Sequence, residues 1–265
     1  MISPGFCARW LLLALLGIFS ACATTTIPAD KCPADRQALE NCPPPDAVDD
    51  PELNEWYRIR TQLPARESGS DPIDLGVEAQ IPVQGVRAKL LGSSEVEAIQ
   101  SLTAKIHMIE NAKHSVDAVY YIFKDDLAGK AMLGALCDAV KRGVDIRLMV
   151  DSVGSIGLNK TWLRALHSCE VRAGFIHNSA GQVTTRRARV QVFIFNAVST
   201  SPFTANRRSH DKLMVVDGFV PEKTIVITGG RNISLAYYGI LEDGSPNPDT
   251  YNDAEILLRP GVDRE

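Results

Sequence analysis

The stretch Arg207-Arg208-Ser209-His210-Asp211-Lys212-Leu213-Met214-Val215-Val216-Asp217 holds the residue types in this chain best suited to chemistry. Its apolar tail predicts a β-strand. Side chains alternate along a strand, so His210 and Lys212 point to one side. An imidazole and an ammonium on one face can grip a phosphate. The imidazole can attack phosphorus, and the ammonium neutralises the phosphoryl oxygens. Asp217 stands an odd number of positions from His210 and therefore faces elsewhere or sits in a turn. Gly229-Gly230-Arg231-Asn232 follows downstream. Glycines let a backbone approach a ligand closely, and Asn232 offers amide donors for phosphate oxygens.

These residues need a scaffold, and residues 84–265 supply helix and strand signals in alternation. Ser94-Glu95-Val96-Glu97 is a capping box that opens a helix running to about Ala112. Val116–Phe123 is a buried strand, Leu127–Arg142 an amphipathic helix stopped by Gly143, and Val144–Val150 a second strand. Asn159–Ser168 reads as a short helix and Val171–Ile176 as a strand. Leu213–Val216 and Thr224–Thr228 are two strands joined by a turn near Pro221, and Ala254–Leu258 is the last strand. Residues 177–206 lack periodicity and read as a long loop near a site. The fold class is α/β, a mixed β-sheet with helices on both faces.

The whole chain has 265 residues and a net charge of -4, which excludes a strongly basic nucleic-acid binder. Residues 1–21 carry Arg9 and the ten-residue apolar run Trp10–Phe19. That run is too short for a spanning helix, which needs about 20 residues, and it suits an export signal. Phe19-Ser20-Ala21-Cys22 resembles a bacterial lipobox, which implies acylation of Cys22 and a lipid-anchored protein of the cell envelope. Ala23 resembles the sorting residue of lipoproteins of the outer membrane, facing the periplasm. The alternative is a plain cleaved signal ending near Ala21 or Ala23. Residues 22–83 read as a Pro-rich acidic tether with a short helix around Pro51–Arg60. Between 23 and 83 there are 12 acidic and 5 basic residues, whereas 84–265 holds 20 acidic and 22 basic. In an oxidising compartment Cys32 and Cys42 could pair locally, and Cys137 and Cys169 read as buried packing residues.

The His-x-Lys-x4-Asp signature of His210, Lys212 and Asp217, with Gly229-Gly230-x-Asn232 after it, resembles the phospholipase D superfamily. Tyr120-Tyr121-Ile122-Phe123, Lys141–Leu148, Arg207-Arg208, Gly229–Ser234 and Tyr251–Glu255 are most similar to the bacterial cardiolipin synthase subgroup, and the resemblance covers most of 74–265. It implies a phosphatidyl transfer through a phosphohistidine on His210. Lys212 and Asn232 match phosphate ligands, and Gly230 and Arg208 are candidate phosphate contacts. Asp217 matches the motif aspartate, an orienting or structural partner that belongs with the catalytic set. Asp253 matches an acidic residue that hydrogen-bonds the imidazole and fixes its tautomer. The resemblance implies no metal and no cofactor. It implies a phosphatidylglycerol-like phospholipid as substrate, and the near-neutral charge of 84–265 argues against nucleic acid.

Two departures from the family pattern stand out. Asp217 to Gly229 is twelve positions where the family usually has seven, so Gly218–Lys223 lengthens the hairpin. The family also uses two such motifs, one histidine attacking and the other protonating the leaving alcohol. Of the histidines 107, 114, 167, 177 and 210, only His210 has Lys two positions later. The expectation is a first lobe lacking its second, inactive alone. The alternatives are a homodimer sharing two His210 residues, as in single-motif phosphodiesterases and nucleases of the superfamily, a separate chain carrying the second motif, or a non-catalytic lobe that binds phospholipid or a partner.

Further residues carry two readings each. Arg186, Arg187 and Arg189 with Arg207 and Arg208 form either an anionic-headgroup patch or a solvated face. Lys124-Asp125-Asp126 reads as a helix start rather than a metal site. His107 and His114 read as surface or packing residues, and Trp56 and Tyr57 either dock on the domain or touch lipid.

Overall fold

The computed structural model describes residues 42–61, 85–158, 160–197 and 208–261. In chain order these form α1 (Pro51–Thr61), β1 (Val86–Leu91), α2 (Glu95–Asn111), β2 (Ser115–Tyr120), α3 (Leu127–Lys141), β3 (Asp145–Asp151), α4 (Lys160–Ser168), β4 (Phe175–His177), β5 (Val183–Arg187), β6 (Val190–Phe195), β7 (Lys212–Val216), β8 (Ile225–Gly229) and β9 (Glu255–Pro260). Seven strands make one mixed sheet in the order β1-β9-β8-β7-β2-β3-β6, and β4 and β5 form a separate pair. β2, β3 and β6 run parallel, and β7, β8, β9 and β1 are joined antiparallel. The molecule is a mixed α/β fold.

Local chemistry sets these elements. Ser94 caps α2, its hydroxyl accepting from the Glu97 amide at 3.3 Å and donating to the Glu97 carboxylate at 2.6 Å. Asp126 caps α3 by accepting from the Gly129 amide at 3.0 Å, and its other oxygen accepts from Leu235 N at 2.8 Å. The aspartates before α3 therefore serve a helix start, as their position suggested. β2 and β3 bury one face, with Val116, Ala118, Ile146 and Leu148 packed in one core with Met132, Leu136 and Val140 of α3, while Asp117 and Arg147 pair on the half-buried opposite face.

Several expectations change. Val171–Ile176 is not one strand: Cys169–Arg172 is a 3-10 turn, and only Phe175–His177 is extended. The predicted loop 177–206 instead contains β5 and β6, and β6 is an edge of the main sheet. Its residues are half exposed on both faces, so the period-two alternation that marks a strand is missing. β1 has no counterpart in the sequence reading, because five of its six residues are exposed and carry no hydrophobic pattern. Cys137 and Cys169 are not separate packing residues but a disulfide joining α3 to the turn after α4. Cys42 is disulfide-bonded too. The expected pairing with Cys32 lies outside the described residues, as do the signal segment 1–21 and Cys22.

Part of the expected tether belongs to the folded body. Val48 bridges to Thr184 beside β5, and Asp50 accepts from Leu53 N at 2.9 Å to start α1. Leu53 and Tyr57 are each 1% exposed in the core. At about 1.5–3 kcal/mol per buried side chain, this docking holds α1 firmly. Trp56 packs on Phe219 with ring centroids 4.6 Å apart, so both tether aromatics dock on the domain. The Arg189 guanidinium lies 4.3 Å and that of Arg186 5.2 Å from the Tyr57 ring. Arg186 also donates to Asn54, Arg189 pairs with Asp145 at 3.3 Å, and Arg187 donates to Ala173 O at 2.7 Å. These arginines clamp α1 and its neighbours, which is neither of the two expected roles.

Candidate active site

The site forms where β2 and β3 end, β7 and β9 begin, and β8 ends. Register brings Tyr120 of β2 opposite Lys212 of β7, and Tyr121 N donates to Asp211 O at 3.0 Å. His210 is exposed, just before β7. Its ring stands 4.6 Å from the Tyr121 ring, centroid to centroid. Lys212 is buried; its Nζ lies 3.0 Å from His210 Nδ1 and 2.7 Å from His210 O, with the Tyr121 ring 5.4 Å away. Imidazole and ammonium thus share one face, as the strand period requires. Burial lowers the Lys212 pKa, while the nearby carboxylates Asp253 and Asp211 pull it upward.

Asn232 reaches the same end of the sheet despite the longer hairpin. The extra residues form the turn Pro221–Lys223 at the far end of β7 and β8 and leave the site end undisturbed. Asn232 is 1% exposed. Its Oδ1 accepts from Ile122 N at 2.8 Å and its Nδ2 donates to Tyr237 Oη at 2.8 Å. One amide hydrogen is therefore spent on Tyr237. The Asp253 carboxylate lies against Gly230; burial raises the Tyr237 pKa, and Asp253 adds to that rise while opposing the lowering of the Lys212 pKa by burial. Among the described residues it makes no hydrogen bond to His210.

Three sequence-predicted site residues serve the fold. Asp217 lies at the opposite end of β7 from Lys212, with φ 55°. Its carboxylate accepts from the amides of Lys113 (3.0 Å), His114 (2.7 Å) and Ser115 (3.1 Å). It clasps the start of β2, the structural role that the resemblance implied, at a distance from His210. Gly230 makes room for Asp253. A Cβ on it would overlap the Asp253 carboxylate, 2.7 Å from Cγ, and its N–H already donates to Ala254 O at 2.9 Å. Arg208 donates to Ser152 Oγ at 2.9 Å, to Asp151 Oδ1 at 3.3 Å and to Asn196 O at 3.5 Å. Its guanidinium holds the lead-in to His210 against β3 instead of facing a phosphate. Burial raises the Asp151 pKa, but donation from Gly154 N, Val153 N, Ser209 N and Arg208 outweighs it and leaves the pKa lowered. Arg207 lies outside the described residues.

Three site residues escaped the sequence reading. Tyr121 was absorbed into an apolar strand, although it is the first residue past β2 and faces His210. Tyr237 and Tyr251 stack with centroids 4.8 Å apart beside Asn232. The spacing of Tyr237 from Asn232, one turn on, was the available signal. Beneath them Arg231 is 1% exposed and donates to the carbonyls of Leu91 and Gly92.

With this geometry in place, residues 106–238 match the family model described as Cardiolipin synthase, PLD-like domain. The chain belongs to that family. The PLD-like match spans His210, Lys212 and Asn232 and ends before Asp253. Cardiolipin synthase C of Escherichia coli (strain K12) is 32% identical over 157 residues, 56% of this chain and 28% of that protein. A cardiolipin synthase of Geobacillus sp. (strain WCH70) is 28% identical over 196 residues, 73% of this chain and 31% of that one. The chain thus spans about a third of the length of these curated relatives. Among solved structures it is similar to NucT from Helicobacter pylori (TM-score 0.41, 14% identity, 65% of this chain and 85% of that one). It is also similar to the phosphatidylserine synthase of Haemophilus influenzae Rd KW20 (TM-score 0.45, 15% identity, 66% and 33%).

Proposed function

We propose that this PLD-like lobe carries one half of a phosphatidyl-transfer site, with His210 as nucleophile. The observation that supports it most directly is the exposed His210 imidazole with the Lys212 ammonium 3.0 Å away on the same face. A ring nitrogen of His210 attacks the phosphorus of a phosphodiester, the N–P bond forms, and the P–O bond to the headgroup alcohol breaks. Lys212 and the remaining amide hydrogen of Asn232 neutralise and hold the phosphoryl oxygens. An acceptor alcohol or water then attacks phosphorus and gives up its proton as the N–P bond breaks. If the acceptor is a phosphatidylglycerol headgroup, the product is cardiolipin. Tyr121 orients the imidazole, and Asp253 keeps Lys212 charged against its burial.

The leaving alcohol needs a proton from an acid on the far side of phosphorus. His107 and His167 sit on helices, and His114 and His177 at the other end of the sheet, so none of them faces His210. We assign that acid to a facing lobe with its own histidine, either a second copy of this chain or another lobe. The Cys137–Cys169 disulfide supports an oxidising compartment. With the sequence of residues 1–22 it supports an exported, Cys22-acylated protein at the envelope, next to its lipid substrate.

Lipid mass spectrometry of cells expressing the chain, with His210→Ala as the control, tests this reading. A change in cardiolipin or phosphatidic acid that disappears in the variant is expected. No His210-dependent change overturns it for this chain acting alone or as a pair of copies, and cleavage of single-stranded DNA by the purified chain instead overturns it outright.

A further inference from the structure

A second cavity, of about 450 Å³, opens at the opposite end of the sheet from His210 and is lined by Lys113, His114, Arg142, His177 and Lys223 with Ala112 and Gly181. Register separates the two ends: Lys212 pairs with Tyr120 at the site, and Val216 with Val116 at this cavity. At about 3.3 Å per residue over β7 they lie roughly 15 Å or more apart.

The cavity gathers three cationic side chains, none of them in an ion pair among the described residues. Among the described residues Arg147, Arg189, Arg208, Arg231, Lys105, Lys130 and Lys141 pair with carboxylates, and others such as Lys89, Lys124 and Arg164 do not. Among the same residues Lys113, Arg142 and Lys223 have no carboxylate partner. Arg142 spends one N–H on Ile109 O (2.8 Å) and keeps the rest of its fork. Asp217, the nearby carboxylate, is held by the amides of Lys113, His114 and Ser115 and offsets part of this charge, leaving three cations around one anion. His114 is 2% exposed. Its Nδ1 contacts His177 O at 2.8 Å, which makes Nδ1 the donor and turns Nε2 toward Lys223 Nζ at 3.5 Å. Burial lowers the His114 pKa, the bond to His177 O and the Asp217 carboxylate pull it upward, and Lys223 and His177 push it down again, leaving it lowered. A pocket lined by one guanidinium and two ammoniums gains energy by admitting an anion.

We propose that this cavity is a second anion site, taking a phosphate ester through Lys113, Arg142 and Lys223 with His114 and His177 at its floor. A planar guanidinium with two point ammoniums suits a tetrahedral oxyanion, and the volume admits a phosphate with an esterified group. The site does not depend on the catalytic reading, since it shares no residue with the His210 cluster.

The test is an NMR titration of the full chain in detergent, following the imidazole C–H signals of His114 and His177. Inorganic phosphate, glycerol 3-phosphate and monomeric short-chain phosphatidylglycerol are the probes, at fixed ionic strength. Saturable shifts are expected, and Arg142→Gln/Lys223→Gln weakens binding by at least about tenfold, the order expected for two lost charges near an anion. Both residues are exposed, and a circular dichroism spectrum verifies the fold of the variant. Tighter binding of the lipid than of glycerol 3-phosphate assigns a lipid headgroup; equal or weaker binding assigns a free phosphate ester. The proposal falls if no probe gives saturable shifts, if chloride gives the same shifts, if the double variant binds as the wild type does, or if His210→Gln abolishes the response.

Discussion

Lys105 lies fully buried under the site, and pH exposes what that burial costs. Its Nζ donates to Glu255 Oε2 at 2.6 Å and to Ser101 Oγ at 2.8 Å, while Arg231 stands 3.9 Å from the same carboxylate oxygen. Burial lowers the Lys105 pKa from 10.5 to about 8, although Glu255 pulls it up. In the unfolded chain the group returns to its ordinary value, so between about pH 8 and 10.5 the unfolded state binds more protons. Stability therefore rises with pH across that window, and it falls back as pH drops from 10.5 to 8. From pH 7 to 10 the rise is worth about 2–3 kcal/mol, because each tenfold difference in proton affinity between the two states contributes about 1.4 kcal/mol. Tyr120 and Tyr238 act oppositely above about pH 10, because burial holds their hydroxyls protonated well above the ordinary value. Urea unfolding followed by circular dichroism at pH 7, 8, 9 and 10, at constant ionic strength, measures the slope. Wild type should gain stability from pH 8 to 10. Lys105→Met should be flat there, and less stable at neutral pH because Glu255 is left buried with Ser101 and Arg231. A flat or falling wild-type curve, or the same rise in Lys105→Met, refutes the assignment.

Other expectations are as direct. Asp217→Ala removes a carboxylate held by three amides and leaves a Cβ residue at φ 55°; urea unfolding should show a loss of roughly 3–4 kcal/mol, with the His210 imidazole signals unmoved. Gly230→Ala pushes the Asp253 carboxylate aside; His210-dependent lipid turnover should fall at least about tenfold, one transition-state charge contact, while the melting temperature changes by only a few degrees. Tyr57→Ala should cost about 3–5 kcal/mol by calorimetry, as expected of a core residue and not of a spacer. Reducing Cys137–Cys169, which are 32 positions apart, should lower stability by roughly 3–4 kcal/mol.

The parts legible from sequence were those decided by neighbours in the chain. Ser94 and Asp126 announced two helix starts because a cap bonds residues three positions on. His210 and Lys212 announced a shared face because a strand repeats every two residues. β2, β3, β7 and β8 announced themselves by apolar and β-branched residues, since one face of each is buried in the core and the other is largely shielded. β1 and β6 stayed silent, because edge strands with exposed faces need no apolar pattern.

What the chain order could not reveal was the assignment of partners. Spacing turned Asp217 away from His210, but only the fold names its partners, the amides of residues 113–115. Arg208 looked like a phosphate ligand, yet Asp151 and Ser152 hold it. Gly230 looked like an opening for substrate, yet the Asp253 side chain occupies that space. Most of these partners lie tens of residues away, and short-range periodicity carries no information across such a distance. The sequence determined which residues could handle a phosphate and on which kind of element they lie. The tertiary structure decided which of them converge, because burial and hydrogen-bond satisfaction are settled only once the strands are side by side.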